Sequence, residues 1–381
     1  MLDVVTPESP VLFDEVATAS GHVIGFALLN APKALNALSL TMIRLLDEQL
    51  RRWEEDPRIA CVVLHGAGEK AFCAGGDVRS LYRAIKDHGP SPTNSMAMAF
   101  FSEEYRLDYR IHRYSKPVIA WASGIVMGGG LGLLAGASHR VVTETSRIAM
   151  PEITIGLFPD VGGSWFLRRM PGKMGLFVAL TGVSLNAFDA KVARLGDHFL
   201  LASQFGQMRA NLIAASWQSS AVPNRGTVSQ ILTTLAVASV AALPESNLQK
   251  HAATIDALCT GTDLTEIVER IQRYDGEDHW LQRAAKTLAA GSPTTMALIW
   301  ALRNRAESLS LAEVFRLELI VVMQCCAHPD FPEGARALLI DKDGQPRWTP
   351  GRLQDVSSVQ LAEHFREPRW PQGHHPLHDL H

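Results

Sequence analysis

Two acidic residues stand in an apolar stretch near the middle of the chain. Glu152 and Asp160 belong to the segment AMPEITIGLFPDVGG, residues 149–163. Apolar surroundings raise the pKa of a carboxyl group and strengthen it as a base or nucleophile, which suits acyl-transfer chemistry. A structural explanation competes: Glu152 could occupy the first turn of a helix after Pro151, and Asp160 could cap a helix that begins near Trp165. The residues alone leave both interpretations open.

A glycine-containing loop at 70–77 reads KAFCAGGD and lies between a predicted strand and a helix that begins near Val78. Its glycines let the backbone approach a ligand, and Asp77 can cap the helix, so a backbone N–H near Gly76 can face a substrate. An ordinary strand-to-helix loop explains the same residues, and taken alone it is the favoured interpretation.

The glycine triplet at 128–130 is a second turn of this kind. Two N–H groups aimed at one carbonyl oxygen form an oxyanion hole, and losing one such donor costs roughly 100- to 1000-fold in rate. A dinucleotide-binding turn competes, because Gly130-x-Gly132-x-x-Ala135 fits that fingerprint and Glu152 follows at the distance of a ribose-binding acid. We rank it lower, since these glycines do not directly follow the first strand.

Alternating strand and helix patterns up to about residue 150 supply the elements that position these residues. A helix should begin after Ser39 as N-cap and end by Pro57. From about Phe166 onward helical patterns dominate, which predicts an α/β core at 1–200 and a C-terminal helical region at 201–381. The predicted strands lie near 22–29, 59–65, 117–121 and 140–143.

The composition limits the class of protein. Lysine and arginine total 36 against 39 acidic residues, for a net charge of -3, so nothing suggests a nucleic-acid partner. The cysteines form an odd set without C-x-x-C spacing, which argues against a disulfide framework or a zinc site and predicts a reducing, cytoplasmic location. They are Cys61, Cys73, Cys259, Cys325 and Cys326.

Targeting and membrane signals are weak. The N-terminus carries early acids and resembles neither a signal nor a transit peptide. The stretch 117–138 has no formal charge and is long enough to cross a bilayer, but its glycines predict a strand, a turn and a helix instead. We therefore expect no membrane association. The histidine-rich tail at 372–381 is expected to be mobile.

Five motifs, taken together in order and spacing, resemble the enoyl-CoA hydratase/isomerase (crotonase) superfamily, and within it the 3-hydroxyisobutyryl-CoA hydrolase branch. The resemblance extends from about Val11 to Phe365 and is most specific at 70–165. It is weakest at 203–225. The motifs are AFCAGGDVR, FFSEEY, GGGLG, AMPEITIGLFPDVGG and EGARALLIDKDGQPRWTP.

The resemblance implies a role for five residues. The backbone amides of Gly76 and Gly129 match the superfamily's oxyanion hole, and Gly129 also contacts substrate. Glu152 matches the catalytic glutamate, and Asp160 matches the aspartate that distinguishes the hydrolase branch. Glu104 matches a substrate-contacting glutamate of that branch; the alternative for Glu104 is a solvated helix face.

The implied fold is a crotonase-like α/β spiral of strand-strand-helix units, with the C-terminal helical region completing an acyl-CoA pocket. Members of the superfamily commonly form trimers or multiples of them, so a homo-oligomer is expected. Neither a metal nor a bound cofactor is implied, because coenzyme A is part of the substrate.

The expected reaction is hydrolysis of a short-chain 3-hydroxyacyl-CoA, with 3-hydroxyisobutyryl-CoA of valine catabolism as the branch's usual substrate and 3-hydroxypropionyl-CoA as a second. Gly132 stands where hydratases carry a second glutamate, which disfavours hydration. Two other classes stay open: a hydratase or isomerase of the same superfamily, and a non-catalytic acyl-CoA-binding protein. The sequence does not decide whether Glu152 attacks directly or activates water.

Overall fold

The computed structural model describes residues 8–381. The expectation that the N-terminus resembles neither a signal nor a transit peptide concerns residues that lie partly outside this range. The strands are β1 Val11–Ala17, β2 Val23–Leu29, β3 Ile59–Gly66, β4 Ala71–Cys73, β5 Val118–Ala122, β6 Ile125–Met127, β7 His139–Val142, β8 Arg147–Ala149 and β9 His198–Phe199. The helices up to residue 192 are α1 Leu40–Glu55, α2 Val78–His88, α3 Ser95–Arg113, α4 Gly129–Gly136, α5 Gly163–Phe166, α6 Met174–Thr181 and α7 Ala187–Val192. Those that follow are α8 Phe205–Ala214, α9 Ala221–Val237, α10 Asn247–Lys250, α11 Ala252–Leu258, α12 Leu264–Gln272, α13 His279–Ala290, α14 Pro293–Arg305, α15 Leu311–Ala327, α16 Asp330–Ala335 and α17 Ser358–Glu363.

The chain forms two compact units, each assembled from three stretches. The first contains Met1–Gly76, Leu107–Ile148 and Leu185–Ser246. The second contains Asp77–Arg106, Ala149–Ser184 and Asn247–His381. Neither unit coincides with the regions 1–200 and 201–381, and that division along the sequence stays a prediction.

The first unit is built on a sheet with the strand order β1-β2-β3-β5-β7-β9. β1 pairs antiparallel with β2, and the other neighbours are parallel. The run from Ile59 to Leu64 in β3 is buried without alternation, as expected of a parallel strand covered on both faces. The four predicted strands are confirmed, whereas β1 and the short strands β4, β6, β8 and β9 were not predicted. Strands of two or three residues give little periodicity.

Helices α8 and α9 cover one face of this sheet. Their apolar side chains join those of the sheet in one buried cluster. The cluster comprises Ile24, Phe26, Ala60, Cys61, Val63, Ile119, Trp121, Val141, Leu200, Met208, Leu212, Trp217, Val228 and Leu232.

Two local signals predicted helix starts correctly. The Ser39 side chain accepts a hydrogen bond from the Met42 amide at 3.2 Å and caps α1, which ends at Glu55 as expected. The Asp77 side chain accepts from the Ser80 amide at 3.1 Å and caps α2. The uncharged stretch 117–138 forms β5, β6 and α4. Within residues 8–381, no helix is both long and apolar enough to cross a membrane.

The second unit is helical, and it includes the whole described chain from α10 onward. The predicted α/β class with a C-terminal helical region is therefore confirmed. The expectation of a mobile tail is wrong. Leu377 is buried, Arg106 makes two hydrogen bonds to Asp379 at 2.7 and 2.8 Å, and Arg316 donates to the Leu380 carbonyl at 2.9 Å. Buried leucines and paired charges fix the tail where histidine content alone suggested disorder.

Candidate active site

The two glycine turns lie side by side in the first unit. β4 and β6 are parallel neighbours, with Cys73 opposite Val126, so the turns that follow them leave the same edge of the small sheet β4-β6-β8. Gly75 has a φ of 105°, and a Cβ there would lie 3.3 Å from the carbonyl oxygen of Met127. Only a glycine combines this backbone conformation with so close an approach.

Both predicted oxyanion donors are on these turns. Gly129 is the first residue of α4, so its N–H has no intrahelical acceptor. Gly76 forms a parallel bridge with Leu38, in which the Leu38 amide donates to the Gly75 carbonyl at 2.8 Å. Successive peptide groups of extended backbone alternate in direction, so the Gly76 N–H points away from Leu38. The structure thus brings Gly76 and Gly129 onto adjacent turns, while their role as oxyanion donors stays a prediction.

The dinucleotide interpretation of the second turn is wrong. Gly130 and Gly132 lie inside α4, and each is required by packing. A Cβ on Gly130 would overlap the Cys73 carbonyl oxygen, and a Cβ on Gly132 would lie 2.7 Å from a carboxyl oxygen of Asp108. These glycines therefore allow close contacts within the protein and do not form a phosphate-binding turn after the first strand.

The three predicted acids lie in the second unit, and all three are buried: Glu104 is 2% exposed, Glu152 5% and Asp160 4%. Glu104 is on the buried face of α3, so the solvated-face alternative is wrong. One oxygen of Glu104 and one of Glu152 are buried without a hydrogen-bond partner among the described residues. Buried carboxyl oxygens rarely lack partners in proteins, and such atoms are suited to meeting a substrate.

A short 3-10 helix, Glu152–Ile155, holds the first of these acids. It ends at Gly156, which has a φ of 69° and where any Cβ would overlap the backbone of Asp330. Glu152 therefore does occupy the first position of a helical turn, as the structural alternative proposed. That position leaves one of its carboxyl oxygens without a partner among residues 8–381, so the local role does not account for the whole side chain.

Asp160 does not cap a helix. α5 begins at Gly163, its N-cap residue is Gly162, and no side chain caps it. The Asp160 carboxyl instead accepts a hydrogen bond from the Tyr105 hydroxyl at 2.7 Å. The structural alternative for Asp160 is therefore wrong, and a long-range bond holds this side chain.

Burial dominates the electrostatics of this acid cluster. Burial raises the pKa of Asp160 to about 6, although the Tyr105 hydrogen bond opposes the rise. Burial and the nearby Asp160 charge raise the pKa of both Glu104 and Glu152 well above the usual range. Glu152 is thus a stronger base than an exposed glutamate once it has lost its proton.

The sequence interpretation missed two neighbours of this cluster, Tyr105 and Glu318. Tyr105 directly follows Glu104 in the FFSEEY motif, which was the available signal. Glu318 is fully buried in α15, and burial raises its pKa to about 8. It shares a helix face with Phe315 and Val322, so an acid among apolar residues at helical spacing could have drawn attention to it.

Comparison with known proteins identifies the family. The sequence profile described as enoyl-CoA hydratase/isomerase matches residues 24–365, most of the chain. The chain belongs to the enoyl-CoA hydratase/isomerase family.

Two relatives of this chain share one name. The mitochondrial 3-hydroxyisobutyryl-CoA hydrolase of Danio rerio is 41% identical over 358 residues, which cover 94% of this chain and 89% of that protein. The protein of the same name from Homo sapiens is 37% identical over 354 residues, covering 93% of this chain and 89% of the relative. The predicted hydrolase branch is confirmed by these relatives.

Two similar solved structures carry other names. A carnitinyl-CoA dehydratase from Mycobacterium thermoresistibile superimposes with a TM-score of 0.82 at 34% identity, covering 94% of this chain and 97% of that one. An enoyl-CoA hydratase from Rhodobacter sphaeroides gives a TM-score of 0.80 at 34% identity, covering 94% and 98%. The crotonase-like fold is confirmed by both.

Proposed function

We propose that this chain hydrolyses 3-hydroxyisobutyryl-CoA to the free acid and coenzyme A, as a step of valine breakdown. The observation that carries the proposal is Asp160: the acid that marks the hydrolase branch is buried and bonded by Tyr105, beside two glutamates with unpartnered oxygens. A structural cap would not need this environment. The names of the relatives support the same reaction.

In the proposed reaction, the thioester oxygen accepts hydrogen bonds from the amides of Gly76 and Gly129 as negative charge develops on it. Glu152 attacks the carbonyl carbon and displaces the coenzyme A thiolate, giving a mixed anhydride that water then hydrolyses to the free acid, or it removes a proton from a water that attacks the carbonyl carbon directly. Asp160 orients water or the substrate hydroxyl and helps a proton from that water to reach the departing thiolate, and Glu104 contacts the acyl group. No step of this scheme requires a metal or a bound cofactor.

Hydration of an enoyl-CoA is the second candidate function, because the solved relatives are named as a hydratase and a dehydratase. One contact disfavours it. Adding water across a double bond calls for a second carboxyl in the position of Gly132, and a Cβ there would come within 2.7 Å of the Asp108 carboxyl. The second catalytic glutamate is absent, and its space is filled by another acid.

The deciding experiment supplies 3-hydroxyisobutyryl-CoA and crotonyl-CoA to the same preparation. We expect free thiol from the first, while crotonyl-CoA keeps its conjugated-alkene absorbance except for slow thioester cleavage. Rapid loss of that absorbance with the thioester intact would require the hydrolase proposal to be withdrawn. If the protein binds coenzyme A esters but neither releases thiol nor reduces the alkene absorbance, a non-catalytic acyl-CoA-binding protein would be favoured. A parallel assay with 3-hydroxypropionyl-CoA tests the second expected substrate.

Assembly and location belong to the same proposal. We expect a homo-oligomer, a trimer or a multiple of it, which light scattering in solution would test. All five cysteines are free and buried, which suits a reducing compartment such as the cytoplasm. The relatives are named as mitochondrial proteins, so fractionation of the source cells is the measurement that decides the location.

A further inference from the structure

Asp160 begins an unusual β-turn. The Gly163 amide donates to the Asp160 carbonyl at 2.7 Å, and the two central residues both have positive φ values, 51° at Val161 and 84° at Gly162. These features define a type I′ turn, whose central positions favour glycine, asparagine and aspartate. A β-branched residue at positive φ is a conformational outlier. Val161 is therefore strained, immediately after the proposed catalytic acid.

Glu318 reaches this turn from α15. One of its carboxyl oxygens accepts from the Gly162 amide at 2.8 Å, and the other accepts from the Ser164 amide, also at 2.8 Å. The side chain is fully buried, and Gly162 lies 156 residues away along the chain. Both oxygens of one carboxyl group thus bind the backbone that directly follows the strained residue.

Neighbouring aromatic rings complete the support. The end of the Phe315 ring would lie 3.2 Å from a Cβ on Gly162, so it packs directly against the turn. The Phe315 ring centroid is 5.7 Å from that of Tyr105, whose hydroxyl bonds the Asp160 carboxyl. Residues of α15 thus contact the backbone of the turn, and Tyr105 of α3 binds the Asp160 side chain. Strained backbone persists only where its surroundings over-determine it, and it is concentrated at functional sites.

We propose that Glu318 is a positioning residue: it holds the type I′ turn at Val161 in its strained conformation and thereby aims the Asp160 carboxyl. The inference rests on the proposed function for its effect on turnover, since Asp160 must act in hydrolysis for its orientation to matter. Without the two hydrogen bonds from Gly162 and Ser164, Val161 relaxes toward negative φ and Asp160 moves.

The first test is Glu318→Gln, which keeps the size of the side chain but replaces one acceptor with a donor that opposes a backbone N–H. We expect kcat for 3-hydroxyisobutyryl-CoA to fall by about 10- to 100-fold, while KM changes by less than about threefold, because small displacements of a reacting group have effects of this size. An unchanged kcat, or a change confined to KM, would overturn the proposal.

The second test uses strain relief. Glycine adopts positive φ freely, so Val161→Gly should make the turn less dependent on Glu318. We expect the double variant Val161→Gly/Glu318→Gln to recover at least about threefold in kcat over Glu318→Gln alone, since residues that act through one backbone segment are not additive. A double variant with the same kcat as Glu318→Gln, or a lower one, would show that strain at Val161 is not what Glu318 restrains.

A matched control separates positioning from general loss of stability. Asp189 is also a buried acid, and its carboxyl accepts from the Ser246 hydroxyl at 2.8 Å and the Asn186 amide at 3.1 Å. Asp189→Asn should lower the unfolding temperature, because asparagine loses one of these two acceptors, but leave kcat within about twofold at a temperature where the protein is folded. A kcat loss equal to that of Glu318→Gln would overturn the positioning role.

Hydrogen exchange of the segment 158–166, followed by mass spectrometry, keeps the proposal testable without activity. Glu318→Gln should speed exchange there by at least about tenfold, because the amides of Gly162 and Ser164 no longer both have a carboxyl oxygen as acceptor. Unchanged exchange overturns the proposal whatever the protein hydrolyses. Exchange could be faster in the variant while the unaltered protein releases no thiol. That result would support the proposal that Glu318 restrains the turn and would refute the proposed hydrolase function.

Discussion

Asp160→Asn should stabilise the protein at neutral pH while lowering its turnover. Burial raises the pKa of Asp160 from 3.8 to about 6, so the folded protein favours its protonated form more than the unfolded chain does. Asparagine keeps the size of the side chain and stays neutral at every pH, and its amide oxygen can still accept from the Tyr105 hydroxyl. The substitution thus removes the cost of an ionised buried carboxyl.

The size of the effect follows from the two pKa values. The protonated form of Asp160 favours the folded state below about pH 4, and this contribution is lost as the pH rises through about 6. The difference of about 2 pH units corresponds to about 3 kcal/mol, since one unit is worth about 1.4 kcal/mol. We expect Asp160→Asn to raise the free energy of unfolding by about 3 kcal/mol at pH 7.5 and by less than about 1 kcal/mol near pH 4.

Urea unfolding at the two pH values, followed by tryptophan fluorescence, measures this difference. Asp197→Asn is the control of opposite sign. Burial would raise the pKa of Asp197, but hydrogen bonds and the charge of Arg140 outweigh it and hold the pKa below its ordinary value. That variant should lose stability at pH 7.5. Equal stability of Asp160→Asn and the parent at pH 7.5 would refute the reasoning about burial.

Three further predictions concern turnover. Glu152→Gln should lower kcat by more than about tenfold while coenzyme A thioesters still bind, because the amide can neither attack nor accept a proton; a fully active variant in the thiol-release assay would contradict the mechanism. In the parent protein, kcat should fall as the pH drops through about 6, since Asp160 takes up a proton there; a profile that is flat between pH 5 and 8 would exclude a catalytic role for the Asp160 carboxylate. Gly132→Glu should give no crotonyl-CoA hydration and a lower unfolding temperature, because its Cβ would crowd the Asp108 carboxyl; a well-folded, active hydratase would show that the space can adapt.

Local sequence was sufficient wherever neighbours in the chain decide the conformation. Ser39 and Asp77 were predicted as helix caps because capping needs only a side-chain oxygen and amides two or three residues away. The buried parallel strands were visible as apolar runs, and the glycine turns at Gly76 and Gly129 as breaks between a strand and a helix. Family motifs then indicated which acids to consider.

Tertiary structure decided how those acids behave. The sequence left Glu104 open to a solvated helix face and Asp160 open to a capping role, because burial and pKa depend on groups brought near by folding. Tyr105 bonds Asp160 across 55 residues of sequence, and Glu318 bonds the turn at Gly162 across 156. No local pattern encodes such pairs. Sequence determined which carboxyl groups the chain contains, and packing alone decided which of them are buried, which are bonded, and at what pH each one ionises.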